Sequence, residues 1–167
     1  MAETVTLKGN TVTLVGPSIN VGDSAPVAKV VLTDLSEKDI GGAKDKVQLI
    51  ITVPSLDTPV CETETKKFNE LVKGFDVDVT VVSMDLPFAE KRFCESFSIE
   101  DIDIGSDFRY KDLEKYGVLI GEGALKGLLA RAVFIVDKEG KVAYKQLVPE
   151  ITQEPDYDDV LETLKKC

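Results

Sequence analysis

The chain has 167 residues, 43% of them hydrophobic and 30% charged, which is enough apolar material for one folded domain and too much for a disordered chain. Thirty acidic residues against 20 basic ones leave a net charge of −10, which repels phosphate backbones and anionic lipid and argues against nucleic-acid or membrane binding. Histidine is absent, which removes every histidine-based nucleophile and metal site, and the three cysteines, Cys61, Cys94 and Cys167, are too widely separated to suggest zinc.

Residues 4–15, TVTLKGNTVTLV, alternate on either side of Gly9-Asn10 and predict an N-terminal β-hairpin. Residues 17–26 are turn-rich, and KVVLTDL (29–35) follows as a short strand. VQLIITV (47–53) is a continuous, β-branched apolar run, as expected of a strand buried on both faces. From Cys61 to Lys73, helical spacing brings Thr65, Phe68, Leu71 and Val72 together, and VDVTVVSMD (77–85) predicts a second buried strand. PFAEKRFCESF (87–97) opens on a proline suited to a first helical turn, and Phe88 and Phe93 are expected to hold it against the core. FRYKDLEKYG (108–117) reads as an amphipathic helix closed by Gly117. LLARAVFIVD (128–137) and KVAYKQLV (141–148), joined by Lys138-Glu139-Gly140, form a hairpin. PDYDDVLETLKK (155–166) is a final helix with Tyr157, Val160, Leu161 and Leu164 on one face.

One β-α-β unit followed by a hairpin and a helix implies an α/β fold, with a central mixed sheet and helices on both faces. No repeat, low-complexity stretch or linker divides residues 1–167, so a single domain is expected. The N-terminus lacks a basic and apolar leader pattern and no apolar run approaches a membrane span, so a cytoplasmic setting is expected.

The stretch LDTPVC (56–61) raises a chemical question. Pro59 suits the first helical position, which makes Thr58 the N-cap and puts Cys61 at N3, where a capping box would have an acid. A thiolate at N3 meets unpaired N–H groups at the positive end of the helix dipole, the setting that favours ionised cysteine. A free thiol of pKa about 8.5 is ~3% ionised at pH 7, so complete ionisation raises the nucleophile's concentration about 30-fold and no more. A fast reaction needs other groups that stabilise its transition state. The plainer alternative is a small buried residue that happens to start a helix.

Arg131 lies in phase with Val133 and Ile135 on a strand expected to be buried, where a guanidinium needs an anionic partner. A thiolate at the C-terminal end of a neighbouring strand is one candidate. The other reading puts Arg131 at an exposed strand start, paired with a surface carboxylate. GEGALKG (121–127) matches neither a dinucleotide fingerprint nor a P-loop and reads as a flexible loop.

Pro54, Thr58 and Cys61 form P-x-x-x-T-x-x-C, and with Arg131 they resemble a peroxiredoxin site. VPSLDTPVC, SMDLPFAEKRFC, SDFRYKDLEKYGV, LKGLLARAVFIVD and EITQEPDYDDVLETLK follow in order, and through them the whole chain resembles the bacterial thiol peroxidases, an atypical two-cysteine branch of the peroxiredoxin family. The resemblance implies a thioredoxin-like fold with an N-terminal β-hairpin, a homodimer, and reduction of hydrogen peroxide and organic hydroperoxides. It implies that Cys61 is the peroxidatic cysteine, shielded by Pro54, hydrogen-bonded by Thr58 and stabilised with its substrate by Arg131. Cys94 would be the resolving cysteine of an intrachain Cys61–Cys94 disulfide reduced by thioredoxin, with no metal, haem or flavin. Since a disulfide needs Cα atoms within about 7 Å, both segments are expected to unfold locally on oxidation. Cys167 has no place in the pattern and is expected to be a surface thiol without a role. Two other classes compete: a disulfide oxidoreductase, which the missing C-x-x-C disfavours, and a redox sensor that reacts once and stops.

Overall fold

The computed structural model describes residues 3–167. The N-terminal hairpin is present as β1 (Thr4–Leu7) and β2 (Asn10–Val15). Its turn falls at Lys8-Gly9 rather than Gly9-Asn10, because those two residues take positive φ (50° and 85°) and Leu7 pairs with Asn10. That is the geometry whose twist suits a two-residue hairpin.

The central sheet is built from β3 (Ala28–Leu32), β4 (Glu37–Ile40), β5 (Val47–Thr52), β6 (Val77–Ser83), β7 (Asp103–Ser106), β9 (Ala132–Val136) and β10 (Val142–Leu147). Their order is β10-β9-β5-β6-β7-β3-β4, and a two-residue β8 (Leu119–Ile120) joins the hairpin in a separate sheet ordered β1-β2-β8. Strand β6 runs parallel to both β5 and β7, and the remaining central pairs are antiparallel. The sheet is therefore mixed, as expected.

Alternation along β5 divides the core. Leu49 and Ile51 face a layer made by α1 (Pro59–Leu71), α2 (Pro87–Phe97) and α3 (Tyr157–Lys166), with Phe68, Phe93, Val160 and Leu164 packed over them. Ile50 faces the other way, toward Val5, Val12 and Leu14 of the hairpin and Leu113 and Tyr116 of a 3₁₀ helix (Asp112–Tyr116). Each such aliphatic or aromatic side chain contributes about 1.5–3 kcal/mol by leaving water. Helices lie on both faces, but unequally: three α-helices cover one, and a single 3₁₀ turn with the small sheet covers the other.

Two expectations change here. Residues 108–117 do not form an α-helix: Lys111 takes the left-handed conformation (φ 54°), which ends any regular turn before it, and only the five-residue 3₁₀ helix follows. Gly117 does close that helix, at φ 71°, where a Cβ would stand 2.2 Å from the Pro17 carbonyl oxygen. Strands β4, β7 and β8 were not predicted, because EKDI, DIGS and LI are too short or too polar to show a period of two.

Candidate active site

Helix α1 begins as its sequence dictates, with Thr58 extended at the N-cap (φ −104°, ψ 145°), Pro59 at N1 and Cys61 at N3. Its inward face is Cys61, Glu64, Thr65, Phe68 and Asn69, an i, i+3, i+4, i+7, i+8 set. The Thr58 hydroxyl does not cap the helix. It donates to the Ser55 carbonyl at 2.9 Å, so the first N–H groups of α1 receive no side-chain cap.

The loop from β5 to α1 is fixed from outside itself. Ser55 Oγ and the Leu56 N–H donate to the two carboxyl oxygens of Asp85, each at 2.8 Å, and the Val53 N–H donates to the Val82 carbonyl. On the other side the Thr52 hydroxyl donates to the Ala130 carbonyl at 2.8 Å, which ties the end of β5 to the residue before Arg131. Pro54 is buried within this loop.

Arg131 directly precedes β9 and is only 2% exposed, so the reading of an exposed strand start is overturned. Its Nη1 lies 3.2 Å from Cys61 Sγ and 3.0 Å from Glu64 Oε1, and its Nε donates to the Ile151 carbonyl at 3.0 Å. Burial works against the guanidinium's charge, but Glu64 and Cys61 outweigh it and raise its pKa. Cys61 is fully buried, and its contact with Arg131 gives the sulfur a cation as well as a helix N-terminus.

Glu64 is the functional neighbour that the sequence reading missed. Burial pushes its carboxyl up to about 7, against the pull of Arg131, and its Oε2 has no hydrogen-bond partner. The signal was available: a residue three positions after Cys61 shares its face of the helix.

Arg131 also lines a largely apolar hollow of ≈ 650 Å³ with Pro54, Thr58, Val60, Leu125 and Leu128. Leu7 and Lys8 of the hairpin and Ile151 complete its wall, and Ala124 and Leu125 bring the glycine-spaced loop, read above only as a flexible connection, to the site. The hairpin is strapped to the same place. Thr6 exchanges backbone hydrogen bonds with Pro149 and Ile151, while the Glu150 carboxyl accepts from the Lys8, Gly9 and Thr152 N–H groups and the Thr6 hydroxyl. Those backbone donors hold Glu150 well below the usual carboxylate range.

The structure places Cys94 elsewhere, in the last turn of α2, half-buried beside Phe93 and Phe97. Burial pushes its thiol up to about 11, with Glu90 and Glu95 adding to the shift. Phe93 packs inward as expected, whereas Phe88 is 65% exposed and anchors nothing. Cys61, Cys94 and Cys167 are all free thiols, and Cys167 is exposed at the end of α3. Among the described residues no acidic or cysteine cluster could hold a metal, and no helix is long and apolar enough to cross a membrane.

The redoxin family model matches residues 20–161. A thiol peroxidase of Aquifex aeolicus is 74% identical over 167 residues, covering 99% of both chains. The chain belongs to the redoxin family, among its thiol peroxidases. A thiol peroxidase of Campylobacter jejuni is 57% identical over 154 residues, covering 91% of this chain and 87% of that one. The crystal structure of a peroxiredoxin-like protein from Aquifex aeolicus, 74% identical, superposes with a TM-score of 0.98 over 99% of this chain and 98% of its own. A thiol peroxidase from Chromobacterium violaceum, only 20% identical, shares the fold at a TM-score of 0.88 over 99% and 98% of the two chains. As in other thiol peroxidases, the reaction is thiol-dependent reduction of a peroxide, carried on a thioredoxin-like α/β fold of the peroxiredoxin type.

Proposed function

We propose that Cys61 is the peroxidatic nucleophile and that Arg131, Thr58 and Pro54 complete its site. The observation that carries this is the 3.2 Å contact between a buried guanidinium and the sulfur of a cysteine at N3 of a helix. In the reaction, the Cys61 thiolate attacks one peroxide oxygen, the O–O bond breaks, and an alcohol or water leaves after taking up a proton. Cys61 is left as a sulfenic acid. Arg131 offers N–H groups to the sulfur and to the oxygen on which charge develops, a task that ionisation of the thiol alone does not perform. Pro54 shields the sulfur from one side, and the Thr58 hydroxyl turns from Ser55 to the substrate oxygen when peroxide enters.

The apolar wall of Leu7, Val60, Leu125, Leu128 and Ile151 favours an organic hydroperoxide, whose carbon chain it would cover, alongside hydrogen peroxide. Cys94 then attacks the sulfenic sulfur, water leaves, and an intrachain Cys61–Cys94 disulfide results, which thioredoxin reduces. Because Cys94 sits in a formed helix with its thiol pushed upward, this step requires α2 to open. We further infer a cytoplasmic homodimer in which residues 1–167 act as one domain. The two cores share one sheet, which agrees with a single domain. The test is single-turnover peroxide kinetics followed by peptide mapping. A Cys61–Cys94 peptide in a monomer-sized band supports the reading, and a dimer-sized band lost in Cys167→Ser would move the resolving role to Cys167. Sustained turnover with thioredoxin separates a peroxidase from a sensor that reacts once.

A further inference from the structure

Glu90 lies in the first turn of α2, fully buried, and no basic side chain is within ion-pair distance of it among the described residues. Its Oε2 is 2.9 Å from the Ser83 hydroxyl, and its Oε1 has no hydrogen-bond partner. Ser83 Oγ, at the end of β6, is also 2.8 Å from Asp85 Oδ2 and accepts the Asp85 N–H at 3.2 Å. Asp85 is the residue that receives Ser55 and Leu56 of the loop before α1, and its own carbonyl accepts the Ser106 hydroxyl from β7. The cluster therefore joins the helix of Cys94 to the loop that orders Cys61.

Counting protons fixes its state. A hydroxyl has one hydrogen to give and two lone pairs. If Ser83 donated to Glu90, two bare acceptors, Ser83 Oγ and Asp85 Oδ2, would face each other at 2.8 Å. One proton must therefore sit on this pair of carboxyls, and both oxygens of Asp85 already accept from Ser55 and the Leu56 N–H, whereas buried Glu90 has Ser83 alone. The proton accordingly sits on Glu90, which donates it to Ser83 while Ser83 donates to Asp85.

We propose that Glu90 is a positioning residue: its protonated carboxyl fastens α2 to the Cys61 loop, and opening of α2 to form the disulfide releases that proton and loosens the loop in the same event. The catalytic part of this rests on Cys94 being the resolving thiol. Burial, reinforced by Asp85, raises Glu90 from an ordinary 4.5 to about 9, which agrees with the proton count. The titratable groups acting on it are Asp85, from the connection after β6, and Cys94, one turn further along α2. β6 and β7 contribute only the hydroxyls of Ser83 and Ser106, and the loop before α1 contributes Ser55 and the Leu56 N–H.

The sign follows from linkage. Between pH 4.5 and about 9 the closed helix binds a proton that the opened helix does not. Opening therefore becomes easier as pH rises, by about tenfold per pH unit in the middle of that window. Acid conditions keep α2 shut, prolong the life of the Cys61 sulfenic acid and expose it to a second peroxide.

Hydrogen exchange in the reduced full-length protein tests this at pH 6, 7 and 8, with intrinsic exchange rates divided out. In the wild type, opening in peptides spanning residues 53–58 and 87–97 should rise together by about tenfold per pH unit. Glu90→Gln, which keeps an N–H donor toward Ser83 but cannot titrate, should remove the slope from both peptides. Glu90→Ala, which removes the donor, should speed exchange in both by about fivefold at pH 6. A wild-type slope in Glu90→Gln, or an unchanged 53–58 segment in Glu90→Ala, would overturn the fastening. These readings do not depend on which thiol resolves. An oxidised Cys94→Ser variant that still forms a disulfide at Cys61 would overturn the resolving role of Cys94, and with it the catalytic meaning of the opening, while exchange alone decides the fastening.

Discussion

The two helices that carry Cys61 and Cys94 start alike and treat their thiols in opposite ways. Both begin with proline at N1, both lack a side-chain cap, and both rest on the same face of the sheet. Cys61 sits in the first turn of its helix, with Arg131 against its sulfur. Cys94 sits in the last turn of its own, near the negative end of the dipole, with Glu90 and Glu95 acting on it and burial pushing its thiol up to about 11. Position along a helix and the presence or absence of Arg131 thus set apart the thiol proposed to attack in place from the one proposed to leave its helix to react.

The strongest way to break this comparison is to remove each thiol in turn. Cys61→Ser is expected to abolish both single-turnover and steady-state peroxide reduction. Cys94→Ser should keep the first turnover at the wild-type rate and lose sustained turnover with thioredoxin, as read by stopped-flow oxidation and peroxide consumption. A slow first turnover in Cys94→Ser would mean that the Cys94 thiol takes part in the attack on peroxide itself.

Removing the cation comes next. Arg131→Met should slow peroxide reduction by about a hundredfold or more, the usual cost of losing a transition-state hydrogen-bond donor. Alkylation by iodoacetamide, compared with peroxide at a pH where the thiol is fully ionised, should slow far less. Equal slowing of both would reduce Arg131 to a structural role.

A smaller effect sharpens the role of Glu64. Its folded pKa of about 7 lies above the ordinary 4.5, so the wild type's stability from this group is fully present below pH 4.5 and is lost as pH rises through 7. Glu64→Gln should therefore gain on the wild type between pH 4.5 and 8, by at most about 3 kcal/mol in denaturant unfolding. A constant difference between the two proteins across that range would show that Glu64 is ionised throughout. The smallest expectation concerns Cys167→Ser, which should leave turnover and the monomer-sized oxidised band unchanged, since its thiol is exposed at the end of α3.

The comparison between the cysteines was half legible in the sequence. Proline spacing placed Cys61 at N3, and a lone arginine among apolar residues was a sound pointer to a buried anion. Hydroxyl direction was not legible, because Thr58 can satisfy either the helix or the Ser55 carbonyl and only the loop's closure on Asp85 decides. Glu64 and Glu90 were passed over since an acidic residue in a helix usually faces water, and no local pattern shows that the third dimension covers it. The long apolar runs of β5, β6 and β9 announced themselves, whereas β4 and β7 owe their pairing to neighbours distant in sequence. The helix expected at 108–117 failed for a similar reason, as Asp107 takes the Leu113 N–H and the chain turns at Lys111.

The strap between the hairpin and Arg131 bears on how this protein can be labelled. A tight surface turn such as Lys8-Gly9 is the natural place to insert a fluorophore or an affinity peptide. Here that turn is gripped by Glu150, whose neighbour Ile151 receives Arg131 Nε, so an insertion there pulls on the guanidinium. Gly74, beyond the far end of α1, has open space around it but takes φ 89°, so a probe inserted beside that glycine, rather than in its place, stays clear of the strap.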